Sequence, residues 1–312
     1  MDFIYQYMGL DKCLSIIRNK ALPLRYFLSY NDPFECVPEF LNYADLLPIY
    51  SASNEKQREE MIIKQIDIIG RRYKLSEDEL SGIKQGILAS SLLQFGLFPV
   101  SVAYVIGASL NMYFNSELHT KDQKSVANKI ELFISNFIPY LSNLYTSCFS
   151  KVKDNILMWS HYANAHKGVV VVFNPEYKPF TIGCLKEMTY SDTRFDFSIK
   201  DYQKSDMDNL VKKLLTTKGN AWIYEEEQRL ILDIKTNKDE VVWRDYYNNP
   251  YVRLDEECIE CIYIGRRMPE MDKQLLQNAL LENGLDSKIK LSGVKLSHTG
   301  YVLEFDEDNT SS

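Results

Sequence analysis

Four histidines, three tryptophans and six cysteines are few for a chain of 312 residues, and their scarcity narrows its chemistry. The cysteines (13, 36, 148, 184, 258 and 261) are too sparse for a disulfide scaffold. With 13 glycines and 10 prolines the sequence is neither collagen-like nor a low-complexity linker. No GxxxxGK[ST] phosphate loop, no GxGxxG after a strand, no GxSxG and no HExxH occurs, so the common routes to nucleotide, dinucleotide, acyl and zinc-protease chemistry lack their motifs. A net charge of −7 argues against a general polyanion-binding surface. The opening MDFIYQYMGLDKC has no basic stretch followed by a long apolar run, and the expected compartment is the cytoplasm.

Hydrophobic residues at 45 % allow a large core, and the 21 tyrosines and 15 phenylalanines suit sheets and aromatic-lined pockets. Ile4–Tyr7 has strand character, and Leu10, Cys13, Leu14 and Ile17 then recur at helical spacing. Leu22–Tyr26 predicts a second strand, closed by Asn31-Asp32-Pro33. From Phe40 to Tyr145 the pattern turns helical (55–73, 76–93, 100–113, 125–144), and Ser76 with Glu79 has the spacing of a capping box. Strand patterns return at 146–150, 168–173, 184–190, 224–234, 258–264 and 301–305, with helices at 156–163, 206–218 and 271–282.

The expected class is α+β, with mixed or antiparallel central sheets, flanking helices and a long helical insertion. Residues 1–39 and 146–305 form the body, 40–145 the insertion and 306–312 a frayed acidic tail. Between Ile87 and Ser116 no charged residue occurs. That length could span a bilayer. Gln94, Pro99 and Asn111 interrupt it, which favours a buried hairpin or a docking surface for a regulatory protein over a membrane span.

Three constellations carry candidate chemistry. Asn31-Asp32-Pro33-Phe34-Glu35 is first of all a turn, and alternatively a rigid loop that places a carboxylate at a cleft beside Arg25. Met158-Trp159-Ser160-His161-Tyr162, with His166 beyond, offers rings to stack on a planar group, or simply a tryptophan anchor in the core. His161 and His166 are five apart, too far round a helix to serve as co-ligands, and no metal is expected. Third, if a strand starts at Tyr224, then Glu225, Glu227 and Arg229 share one face, either as an ion pair on an exposed sheet or as a carboxylate pair held by an arginine. Cys258 and Cys261 form a CxxC inside a buried strand pattern, which argues against zinc.

Taken together, LPLRYFLSYNDPFE at 22–35, CFS at 148–150, ILMWSHYANAHKG at 156–168 and KGNAWIYEEEQRLI at 218–231 resemble the domain-of-unknown-function 2971 family. CIECIYIGRR at 258–267 is a weaker match, and typical members carry an aromatic residue where Gln228 stands. The order of a Tyr5 strand, a helix, an Arg25 strand and a late E-x-E strand is also similar to the layout of ADP-ribosyltransferases. That resemblance implies NAD as cofactor, cleaved in a cleft between two small sheets, and a nucleic-acid or protein acceptor. It makes Glu227 or Glu225 the catalytic carboxylate. Tyr162 or Trp159 would stack on nicotinamide, while Arg25 and His161 hold the dinucleotide and His161 also lies at the catalytic centre. Tyr5, Asn31, Asp32, Lys218, Trp222 and Arg229 are the remaining candidate binding residues. The role implied is a conflict, toxin or stress enzyme. Two alternatives stand beside it: a nuclease, metal-dependent or metal-independent, using Asp32, Glu35, Glu225, Glu227 and Lys218, and a non-catalytic sensor or partner-binding module acting through the helical insertion.

Overall fold

A computed structural model describes residues 2–27, 143–193, 207–245 and 249–306, together with scattered positions between 30 and 89, of which 75–89 are continuous. Two compact units are present. The first contains Met1–Tyr26, Leu144–Met188 and Ala221–Ser312, and the second Phe27–Asn143 and Thr189–Asn220. The mixed α+β class holds, but residues 189–220 group with 27–143 rather than with the body expected for them.

In the first unit β1 (Ile4–Met8) leads through α1 (Leu10–Asn19) to β2 (Ala21–Pro23) and β3 (Arg25–Tyr26). Helix α1 turns Cys13, Leu14, Ile16 and Ile17 inward, the stripe its spacing predicts. Lys20 ends it in the left-handed conformation, its N–H donating to the Ile16 carbonyl. The second unit supplies α2 (Glu77–Ala89). Its start is the capping box expected at Ser76: the Glu79 N–H donates to Ser76 Oγ at 3.3 Å, and the Ser76 N–H to Glu79 Oε2 at 2.7 Å. The expected helices at 100–113 and 125–144 lie outside the described residues except at the end of the second, where Leu144 starts a strand instead, and so does most of 87–116. Among the described residues no helix is long and apolar enough to cross a membrane.

The first unit resumes with β4 (Leu144–Ser150), α3 (Ile156–His161), β5 (Val169–Phe173) and β6 (Cys184–Glu187). The strand expected over 184–190 stops at Met188. Its remainder, β7 (Thr189–Ser191), pairs in the second unit with β8 (Thr217–Gly219) across α4 (Met207–Leu215). Back in the first unit come β9 (Glu227–Asp233), β10 (Val241–Arg244), β11 (Pro250–Arg253), β12 (Ile259–Ile264), α5 (Glu270–Glu282), β13 (Lys290–Leu296) and β14 (Leu303–Phe305).

Among the described residues nine strands form one mixed sheet in the order β14-β13-β12-β5-β1-β4-β9-β6, with β3 also on β4. Every pairing is antiparallel except β12 with β13, which α5 connects. Strands β10, β11 and β2 make a separate three-stranded sheet. Central β5, a VVVVF run, is buried along its length because both its faces are covered. One face packs Val169, Val171 and Phe173 with α1 and α5, and the other packs Val170 and Val172 with Trp159, Tyr263 and Phe305. Cys258 and Cys261 fall in opposite core layers and cannot ligate one ion together.

Candidate functional site

Backbone geometry just before β9 creates the most polar buried cluster described in the first unit. The strand predicted to start at Tyr224 starts at Glu227. Residues Asn220–Glu225 form a 3₁₀ turn, and Glu226 adopts φ 42°. A non-glycine residue in the left-handed region is uncommon and needs to be held there. The Lys151 N–H donates to the Glu226 carbonyl at 3.0 Å and the Met188 N–H to the Glu227 carbonyl at 3.0 Å. Alternation therefore explains the shared face of Glu227 and Arg229 only, while Glu225 lies in the turn that precedes the strand.

Strand register fixes the floor of the cluster. Tyr5 on β1 lies opposite Ser150 on β4, and Ser150 lies opposite Glu227, so the three share a sheet face; Arg229 follows two residues on, opposite Cys148 and Lys186. Glu227 Oε1 accepts from Arg229 Nε at 3.0 Å and from Arg229 Nη2 at 2.7 Å. Glu225, Glu227 and Arg229 are 3 %, 4 % and 0 % exposed, so the reading of an exposed ion pair is corrected to a buried one. Charges this deep are stable only when paired and hydrogen-bonded.

Two further elements hold Glu225. The Tyr162 hydroxyl, at the end of α3, donates to Glu225 Oε1 at 2.6 Å. Ser150 Oγ donates to the Glu225 carbonyl at 2.7 Å and accepts the Val152 N–H at 3.0 Å. Asn155 ties the helix to the turn. Its Oδ1 caps α3 by accepting the Leu157 and Met158 N–H groups, and its Nδ2 donates to the Tyr224 carbonyl at 2.8 Å. Ser150 and Asn155 were not among the residues expected at the site. The signal for Asn155 is its place one residue before the helix, where asparagine is a favoured cap.

Trp159, for which the sequence leaves a ligand-stacking and a core-anchor role open, is wholly buried. Its Nε1 donates to the Lys153 carbonyl at 2.9 Å, its ring meets Tyr7 edge-on, and His166 lies parallel with centroids 6.2 Å apart. It is the core anchor of α3, leaving Tyr162 as the ring that meets Glu225. Beyond it Asn164, Ala165 and His166 all have positive φ. The amides of Ala165 and His166 bond back to the carbonyls of Ser160 and Trp159. Gly168 lets this turn close on β1: a Cβ there would lie 2.2 Å from the Met8 carbonyl oxygen. Burial, then the charge of Arg267, lowers the His166 pKa.

His161 is exposed, edge-on to the Tyr162 ring, and Arg25 is exposed on β3. Tyr5 and Trp222 are half-buried, with Trp222 tilted against Tyr224 at 6.2 Å. Asp32 and Lys218 are buried and belong to the second unit, while Asn31 and Glu35 lie outside the described residues. Among the described residues no group of three or more His, Cys, Asp and Glu side chains is placed to hold a metal ion.

Residues 158–230 match the sequence model of a family described as "Protein of unknown function (DUF2971)". The match starts in α3 and ends in β9, so it takes in Tyr162, Glu225, Glu227 and Arg229. No curated protein and no solved structure matches the chain significantly.

Proposed function

We propose that the chain is an ADP-ribosyltransferase-like enzyme that cleaves NAD and transfers ADP-ribose to a macromolecule, with Glu225 as its catalytic carboxylate. One observation carries the reading: a buried carboxylate that accepts from the Tyr162 hydroxyl, two residues before a second buried carboxylate paired with arginine. The hydroxyl orients the Glu225 carboxyl, and Arg229 pairs with Glu227.

In the proposed step the bond between ribose C1′ and the nicotinamide nitrogen breaks. Its electron pair leaves with neutral nicotinamide, and C1′ gains oxocarbenium character. A preorganised carboxylate in a poorly hydrated site stabilises that cation. A nucleophile of the acceptor then bonds to C1′ and gives up its proton. Glu227 and Arg229 hold the start of β9, and through it the turn that carries Glu225.

The test is incubation of the full chain with NAD, followed by intact-mass analysis for automodification and for modified nucleic acid or protein added as acceptor. The reading expects an ADP-ribose adduct with wild type and its loss in Glu225→Gln. An adduct formed equally by Glu225→Gln would remove Glu225 from the chemistry.

A further inference from the structure

Strand β9 has a second face. Gln228 lies between Glu227 and Arg229 and pairs in the ladder with Phe149 and Glu187, which puts its side chain on the sheet face opposite the carboxylate cluster. There it lines a cavity of ≈ 570 Å³, within the usual range for small-ligand pockets. The base is apolar, with Ile4 and Phe180 buried and Leu185 half-buried. Three carboxylates, Asp2, Glu176 and Glu187, stand among the lining residues, and Lys151 sits 3.1 Å from Glu187. Gln228 Oε1 is shielded from solvent and has no hydrogen-bond partner among the described residues. A buried acceptor left unpaired is costly, so the amide gains by turning toward a donor.

From this combination we propose that the cavity is a binding site for a small organic amine, a cationic nitrogen on an aromatic or aliphatic body. The apolar base takes the body. The carboxylates hold the ammonium by charge-assisted bonds, and the Gln228 amide accepts an N–H. The same carboxylates repel anions, so the site selects by charge as well as by shape. None of these side chains takes part in the Tyr162–Glu225 hydrogen bond, and the proposal stands or falls separately from the NAD reading.

The experiment is calorimetric titration of the full chain with 2-phenylethylamine and tryptamine, and with 3-phenylpropionate as the carboxylate counterpart. It is repeated on Thr181→Trp, which plugs the rim from an exposed position, and on Glu187→Gln, also exposed. Saturable binding of at least one amine is expected, weakened about tenfold by Thr181→Trp and about threefold by Glu187→Gln, with no binding of the carboxylate. Absence of saturable amine binding overturns the proposal. So does a carboxylate that binds as tightly as the amines, or amine affinity that neither substitution changes.

Discussion

Arg229→Met should be among the most destabilising single substitutions in the first unit. The guanidinium is fully buried and its partner Glu227 nearly so, and one carboxylate oxygen accepts from both Nε and Nη2. Methionine preserves most of the volume of the arginine stem but leaves a carboxylate in the interior without its guanidinium. Removing one member of a buried pair costs about 3–5 kcal/mol, a large part of the ~5–15 kcal/mol that stabilises a typical protein. Replacing both, as Glu227→Leu with Arg229→Met, removes the stranded charge and should cost less than the sum of the single changes, by about 2 kcal/mol or more. Urea unfolding followed by circular dichroism measures all four corners of the cycle. A loss below about 1 kcal/mol in Arg229→Met, or strict additivity in the double variant, would refute the view that this pair is desolvated and coupled.

Gly168→Ala should destabilise by about 3 kcal/mol or more, because its Cβ would meet backbone atoms of Met8 and Ala163, which cannot swing aside; a melting temperature close to wild type would contradict this. Glu256 predicts a pH effect in acid. Hydrogen bonds from Lys20 and then Lys288, each at 2.5 Å, pull its pKa from 4.5 to about 2. A depressed folded-state value adds stability above the unfolded-state pKa, and that stability is lost as pH falls from about 4.5 to 2. Unfolding midpoints measured across that window should fall less steeply for Glu256→Gln than for wild type, and identical slopes would show that the clamp contributes nothing.

How much of this was legible in the sequence follows from where local chemistry decides the conformation. The amphipathic spacing of α1, the apolar run of β5 and the Ser76–Glu79 box are local signals, and each forms the element they predict. Strand periodicity likewise places Glu227 and Arg229 on one face. The kink at Glu226 was not readable, because nothing in an EEE run announces a positive φ; contacts from Lys151 and Met188, distant in sequence, impose it. Trp159 looked equally suited to a ligand or a core until the Lys153 carbonyl and the Tyr7 ring enclosed it. Strand β13 carries a weak signal because Lys290, Lys295 and Gly293 dilute its pattern, and its parallel pairing with β12 is a tertiary property. Strands β10 and β11 were missed as well; β10 is exposed over most of its length and offers no apolar alternation.

The central claim is that Glu225, held by Tyr162, is the anionic centre of an NAD-cleaving site. Its most direct test is chromatographic measurement of free nicotinamide released from NAD by the full chain, comparing wild type with Glu225→Gln at matched, folded concentrations. The account predicts release by wild type and a loss of about a hundredfold or more in the variant. No release by folded wild type, or equal release by both, would contradict it.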